Sequence, residues 1–301
     1  MTTAMGGPER PRATAVAGTF YPAEPERLGR LVDTLLAGAA ARPVEATLPP
    51  RGPDDGSVVG GLVPHAGLVY SGAIAALTWK VVGEIAPNTI VLAGTDHQAL
   101  AAGVGVWTGG PWRTPLGDVA VDGELTGRIV GLGRPFAPDN YAHLAEHSLE
   151  VQLPLLLRAC PAARIVALAV SPRLLDHADA GARLGRLLAT LRAAGDRVML
   201  IASSDFAHYP PAHVCEEVDD RLLTPLLALD GDGLGELESD LVRTRPAGLV
   251  CGLCGIDPVR FTLAAVAEMG ATRGILLGKA TSADAGGDPR RTVGYASAVF
   301  A

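Results

Sequence analysis

The sequence predicts an α/β protein, a single domain built on a central, mostly parallel sheet flanked by helices. Three observations carry that expectation. Apolar runs alternate with amphipathic helical patterns along most of the 301 residues, the arrangement of parallel strands joined by crossover helices. The runs lack the polar alternation of a strand with one wet face, so they belong in a sheet covered on both sides. With 48% hydrophobic and 19% charged residues, the chain can bury one large core.

The elements follow in order. Residues 1–14 carry no periodic pattern and are expected to be disordered, leaving 15–301 as the domain. A helix over 25–36 has apolar positions at i, i+3 and i+4. The segment 37–56, broken by Pro43, Pro49, Pro50 and Pro53, reads as a loop. A buried strand at 58–64 leads to a helix at 71–85, and a second strand runs over 89–93. Short strands at 103–108 and 117–121 flank "GGPWRTPLG" and read as a hairpin beside the sheet. Helices at 151–160, 178–194 and 214–229 alternate with strands at 164–170 and 198–202. A helix at 258–269 and strands at 275–278 and 293–300 complete the chain.

Charge and composition exclude several functions. A formal net charge of −7 offers no broad basic field to a phosphate backbone, which argues against nucleic acid as the main partner. The first residues lack the apolar core of a signal peptide, and no uninterrupted apolar run suggests a span, so the expected setting is cytoplasmic, without membrane attachment. There Cys160, Cys215, Cys251 and Cys254 remain thiols.

In an open α/β sheet the binding crevice lies beyond the carboxyl ends of the strands. Polar residues follow several of these strands: His65 in "PHAG", Asp96 and His97 in "AGTDHQ", Ser203, Ser204, Asp205 and His208 in "ASSDFAHYP", and Lys279, Thr281, Ser282 and Asp284 in "GKATSAD". Singly, each suits a capping role. Together with His143 and His147 they crowd histidines near strand ends, and imidazoles converging with carboxylates and a thiol commonly hold a metal ion. The thiol is in "LVCGLCGIDPVRF", where Cys254 precedes a helix whose dipole favours thiolate. Cys251 and Cys254 also form a C-x-x-C, which leaves a redox dithiol or structural metal as a competing reading.

The stretches "AGTFYP", "GLVPHAGLVYSG", "AGTDH", "EHSLEVQLPLL", "SSDFAHYPP", "CGIDPV" and "VGYASAVF" occur in the order of the MEMO family, known in prokaryotes as AmmeMemoRadiSam system protein B, and the resemblance spans nearly the whole chain. It implies a fold similar to the class III extradiol, LigB-type dioxygenases. It implies metal ligands at His65, His97 and Cys254, with Asp205, His208 and His147 lining the site in acid/base roles. By analogy Fe(II) is the favoured cofactor, although the donor set also suits copper or zinc. The ligand would be a small molecule or peptide, with O2 if the protein is an oxidase. The resemblance further implies association with AMMECR1-like and radical SAM proteins.

The chain departs from the family's usual G-P-S-H-H at Thr95, Asp96 and Gln98, and has Phe20 where a tryptophan is usual. A metal- or peptide-binding module without turnover and a zinc hydrolase stand as alternatives to an oxidoreductase. A Ser203–His208–Asp205 triad lacks the G-x-S-x-G elbow.

Overall fold

In the computed structural model, which describes residues 10–41, 57–174 and 176–301, the chain forms eight α-helices and ten strands among the described residues. In order these are α1 (Pro25–Ala41), β1 (Gly60–Val63), α2 (Leu68–Ile85), β2 (Thr89–Thr95) and β3 (Val104–Val106). Next come β4 (Trp112–Thr114), β5 (Gly117–Val119), α3 (Gly123–Val130), β6 (Phe136–Pro138) and α4 (Leu153–Ala159). The second half contains β7 (Arg164–Val170), α5 (His177–Ala193), β8 (Val198–Ser203), α6 (Ala212–Leu227) and α7 (Gly231–Thr244). It ends with α8 (Ile256–Glu268), β9 (Gly274–Thr281) and β10 (Gly294–Phe300).

The main sheet has eight strands in the order β6-β3-β7-β2-β8-β1-β10-β9. Its centre, β7-β2-β8-β1, is parallel throughout. Antiparallel β10 and β9 close one side, and β3 joins β7 antiparallel on the other. Every residue of β1, β2 and β8 is buried, which explains their uninterrupted apolar runs. Alternate side chains feed two cores. Val91 and Ala93 pack with Leu184, Leu188, Leu222 and Phe261, whereas Ile90 and Leu92 face Leu28, Val32, Trp79 and Leu155.

Helix α2 is, among the described residues, the one helix apolar and long enough to cross a membrane, but 61% of that stretch is buried inside the protein. Its contacts with α1, α4, β9 and β10 account for the hydrophobicity as that of a core helix.

Three expectations need correction. The hairpin pairs β4 with β5, as Trp112↔Val119. Residues 104–106, expected as its first strand, enter the main sheet because Val104 and Val106 are buried against β7. Of the segment 1–14 expected to be disordered, 1–9 lie outside the described residues, but Arg12 is only 1% exposed and is built into the fold. Its Nη1 donates to Glu150 Oε2 at 2.6 Å, and its guanidinium lies 4.1 Å from the Trp112 ring centroid. Of the expected loop 37–56, residues 37–41 instead complete α1, and 42–56 lie outside the described residues. Sequence reading also missed α3 and α7.

Candidate metal centre

The carboxyl ends of the adjacent parallel strands β1, β8 and β2 deliver His65, the Ser203–Asp205 segment and His97 to one crevice. The turn before α8 adds Cys254. His65 Nε2 and Cys254 Sγ are 3.0 Å apart. The His65 and His97 ring centroids are 5.3 Å apart, and His147 stacks on His97 at 4.6 Å.

Hydrogen bonds fix the tautomers. Ser203 has a single hydroxyl proton, which it donates to the carbonyl of Ser148 (2.7 Å). Toward His65 Nδ1, 3.1 Å away, Ser203 therefore accepts, so His65 carries its proton on Nδ1 and turns a bare Nε2 toward the thiol. His97 Nδ1 donates to Glu146 Oε1 (2.9 Å), and His208 Nδ1 donates to the carbonyl of Phe206 (2.6 Å). In its neutral form each of the three imidazoles thus presents Nε2 as a lone pair, the form in which histidine binds a cation.

Buried carboxylates hold the loops that carry these groups. Asp205 Oδ1 accepts from the backbone N–H of His65 (2.7 Å) and Ala66 (3.1 Å). Glu146 accepts from the N–H groups of His97, His147 and Ser148 at 3.0, 2.8 and 2.8 Å. Asp219 accepts from Ala207 N, and Glu238 from Gly252 N and Leu253 N, each at 3.0 Å. Glycine permits one further close approach: a Cβ on Gly67 would stand 3.2 Å from the carbonyl of Phe20, whose ring centroid is 4.7 Å from that of His147.

The environment sets the charges. Burial, reinforced by His147 and His97, keeps His65 neutral well below the usual imidazole range. Burial likewise lowers His147 to about 4 and shifts His208 down. Asp205 is pushed up to about 7 by burial, against the backbone N–H groups it accepts. For Glu146, burial works in the opposite direction but loses to the hydrogen bond and charge of His97, so the carboxyl lies well below its ordinary value. Burial, with Asp205 nearby, raises the Cys254 thiol well above normal. The helix dipole expected to favour thiolate is therefore outweighed, and a cation would have to displace the thiol proton on binding.

Three sets of residues have donor atoms within 4.8 Å of one another and could hold a metal ion: His65–His97–Cys254, His97–Glu146–His147 and Asp205–His208–Cys254. The first coincides with the ligand set that the family resemblance implies. It joins two bare imidazole nitrogens to a sulfur, a donor set that fits a borderline or soft transition metal. Cys251 enters none of these sets among the described residues.

Other sequence candidates fall elsewhere. His143 donates through Nε2 to the Gly105 carbonyl and packs between Trp107 and Trp112. Glu150, not among the candidate site residues, is buried and accepts from the Arg12 guanidinium, the Ala15 and Val16 N–H groups and the Tyr21 hydroxyl. Asp96 turns away to accept from Ala101 N (2.7 Å), and Gln98 is exposed. The Ser203–His208–Asp205 triad fails because Ser203 contacts His65 and gives its proton to a carbonyl. Sequence reading missed the roles of Asp219 and Glu238, whose partners are backbone amides with no residue signature.

A strand-end crevice that gathers histidines, a cysteine and carboxylates defines an α/β protein with a candidate metal centre. Comparison with known proteins agrees with that architecture and is more specific. The family model of Memo-like proteins matches residues 12–299. A MEMO1 family protein of Pyrobaculum arsenaticum is 36% identical over 293 residues, covering 97% of this chain and 99% of its own. One from Aquifex aeolicus is 37% identical over 294 residues, with the same coverages. The chain belongs to the MEMO family. A crystal structure of an uncharacterized Escherichia coli K12 protein shares the fold, with a TM-score of 0.51 at 19% identity over 81% of this chain and 100% of the other.

Proposed function

We propose that the chain is a non-haem metal-dependent oxidoreductase, with Fe(II) as its metal, acting on a small molecule or a modified residue. The observation that carries this reading is the convergence of one ring nitrogen each from His65 and His97 on the Cys254 thiol, all within 4.8 Å of one another. His65, His97 and Cys254 would hold the ion; the resemblance to LigB-type enzymes favours iron over copper or zinc. When bound, Fe(II) supplies a Lewis acid and a redox couple able to engage O2.

The protein residues do the rest. Ser203 and Glu146 hold the ligand rings in the required tautomer. Asp205 and His208 lie on the Cys254 side with their donor atoms close together. A carboxyl pushed up to about 7 beside a neutral imidazole can hold and pass a proton between Asp205 and His208 Nε2 near neutral pH. His147, stacked on His97, lines the substrate side.

Oxygen uptake by Fe(II)-loaded protein with ascorbate tests this reading. His208→Asn should retain the metal and lower uptake by about 100-fold or more. Unchanged uptake removes His208 from the mechanism.

A second reading, a binding module without turnover, has its own observation. Val69, Tyr70, Leu144, Tyr209 and Val250 are exposed apolar residues in the segments that carry the site, and they would suit a peptide. Metal-loaded protein that consumes no oxygen yet binds peptide would favour it. Association with AMMECR1-like and radical SAM proteins belongs to the same proposal, through family resemblance.

A further inference from the structure

The turn from Cys251 to Cys254 is fixed at its ends. The Cys251 carbonyl accepts from His208 N (2.9 Å), and Gly255 N donates to Ser204 Oγ (2.9 Å). Its middle is held by an element with no other part in the site. Glu238 lies on α7 between the buried Leu234 and Leu241, on the face that packs inward. Its Oε1 accepts from Gly252 N and its Oε2 from Leu253 N, both at 3.0 Å.

The opposite position is shaped to match. A Cβ on Gly252 would stand 2.3 Å from Glu238 Oε2 and 2.9 Å from Leu222 Cδ1, so only glycine lets the carboxylate approach both amides. A carboxylate at an apolar helix position is costly to desolvate, and here both oxygens are spent on the two residues immediately before Cys254.

We infer that Glu238, seated against Gly252, is a positioning residue that fixes the Cys254 thiol toward His65 through the backbone of the turn. Its consequence for metal binding rests on the reading of Cys254 as a ligand; its consequence for the thiol does not.

The test uses full-length protein carrying Cys251→Ser, with and without Glu238→Gln. The glutamine keeps the shape but presents an N–H2 to one of the two amides, so the clamp loses one acceptor and gains a donor–donor contact. In metal-free protein, Cys254 should react with iodoacetamide at least about tenfold faster, and Co(II) titration should show affinity weaker by about 10- to 100-fold. Mass spectrometry should find Cys160 and Cys215 unchanged. Gly252→Ala, which drives a methyl into the carboxylate, should shift both readouts in the same direction and serves if Glu238→Gln does not fold.

Wild-type alkylation and Co(II) affinity in both variants would overturn the inference, as would equal acceleration at Cys160 and Cys215, which reports general loosening. If the parent binds no Co(II) while Glu238→Gln still accelerates alkylation at Cys254 alone, the clamp stands and the metal reading falls.

Discussion

Replacing Glu146 by glutamine perturbs the site without removing any proposed ligand. The carboxylate accepts four N–H groups: His97 Nδ1 at 2.9 Å, His97 N at 3.0 Å, and His147 N and Ser148 N at 2.8 Å each. Glutamine retains one acceptor oxygen and turns an N–H2 toward the remaining donor, and it removes the charge that fixes His97 as the Nδ1–H tautomer. Hydrogen bonds to a charged group contribute about 1.5–3 kcal/mol each, and partners that orient a ligand histidine typically account for about 10- to 100-fold in metal affinity. Anaerobic Co(II) titration at neutral pH should therefore show that loss in Glu146→Gln. Because the Glu146 carboxyl is held below its ordinary value, its contribution to folding is present above the normal carboxylate range and lost as pH falls toward the folded value. The variant should accordingly be less stable than wild type at pH 7, with the gap narrowing in acid. Wild-type metal affinity in a folded Glu146→Gln protein would refute the assignment of Glu146 as the group that orients His97.

Other predictions address buried charge and metal binding. Arg12→Met leaves Glu150 buried without its cation, and denaturant unfolding should show a loss of about 3–5 kcal/mol. Burial pushes Asp219 up from its ordinary value of 3.8 to about 7, so the folded state holds its proton where the unfolded state releases it. Its stabilising contribution is present below about pH 4 and lost as pH rises to about 7, on the order of 4 kcal/mol across that window. Asp219→Asn should remove that slope from the pH–stability profile, and an unchanged slope would contradict the burial argument. Metal binding must expel the proton of a thiol raised well above its usual value, so log affinity should rise by about one per pH unit through neutrality; a flat profile would mean that the thiol is not a ligand.

The fold was legible because β1, β2, β7 and β8 are buried on both faces and therefore read as unbroken apolar runs. Helices α3 and α7 escaped because glycine weakens their helical signal: α7 begins Gly231-Asp-Gly-Leu-Gly. Their N-caps, Asp122 and Asp230, which accept from Leu125 N and Gly233 N, were the available cue. His65, His97 and Cys254 were among several reactive side chains at strand ends or a helix start, and it was the family resemblance that singled out these three as ligands. The four-donor role of Glu146 left no signal of its own, and Glu238 and Asp219 were invisible because they act on backbone amides 12 to 15 residues away, which carry no residue signature. An acid on the Leu234–Leu241 face of a helix is the one pattern that could have exposed Glu238.

Metal analysis after anaerobic reconstitution with Fe(II) tests the central claim most directly, comparing wild type with His65→Ala, His97→Ala, Cys254→Ala and Cys251→Ser. About one iron per chain is expected in wild type and Cys251→Ser, and a sharp loss in each of the other three, since a three-ligand site weakens steeply when one donor is removed. Full iron occupancy in folded Cys254→Ala would contradict the assignment of the thiol, and loss of iron in Cys251→Ser would move the site to the C-x-x-C pair.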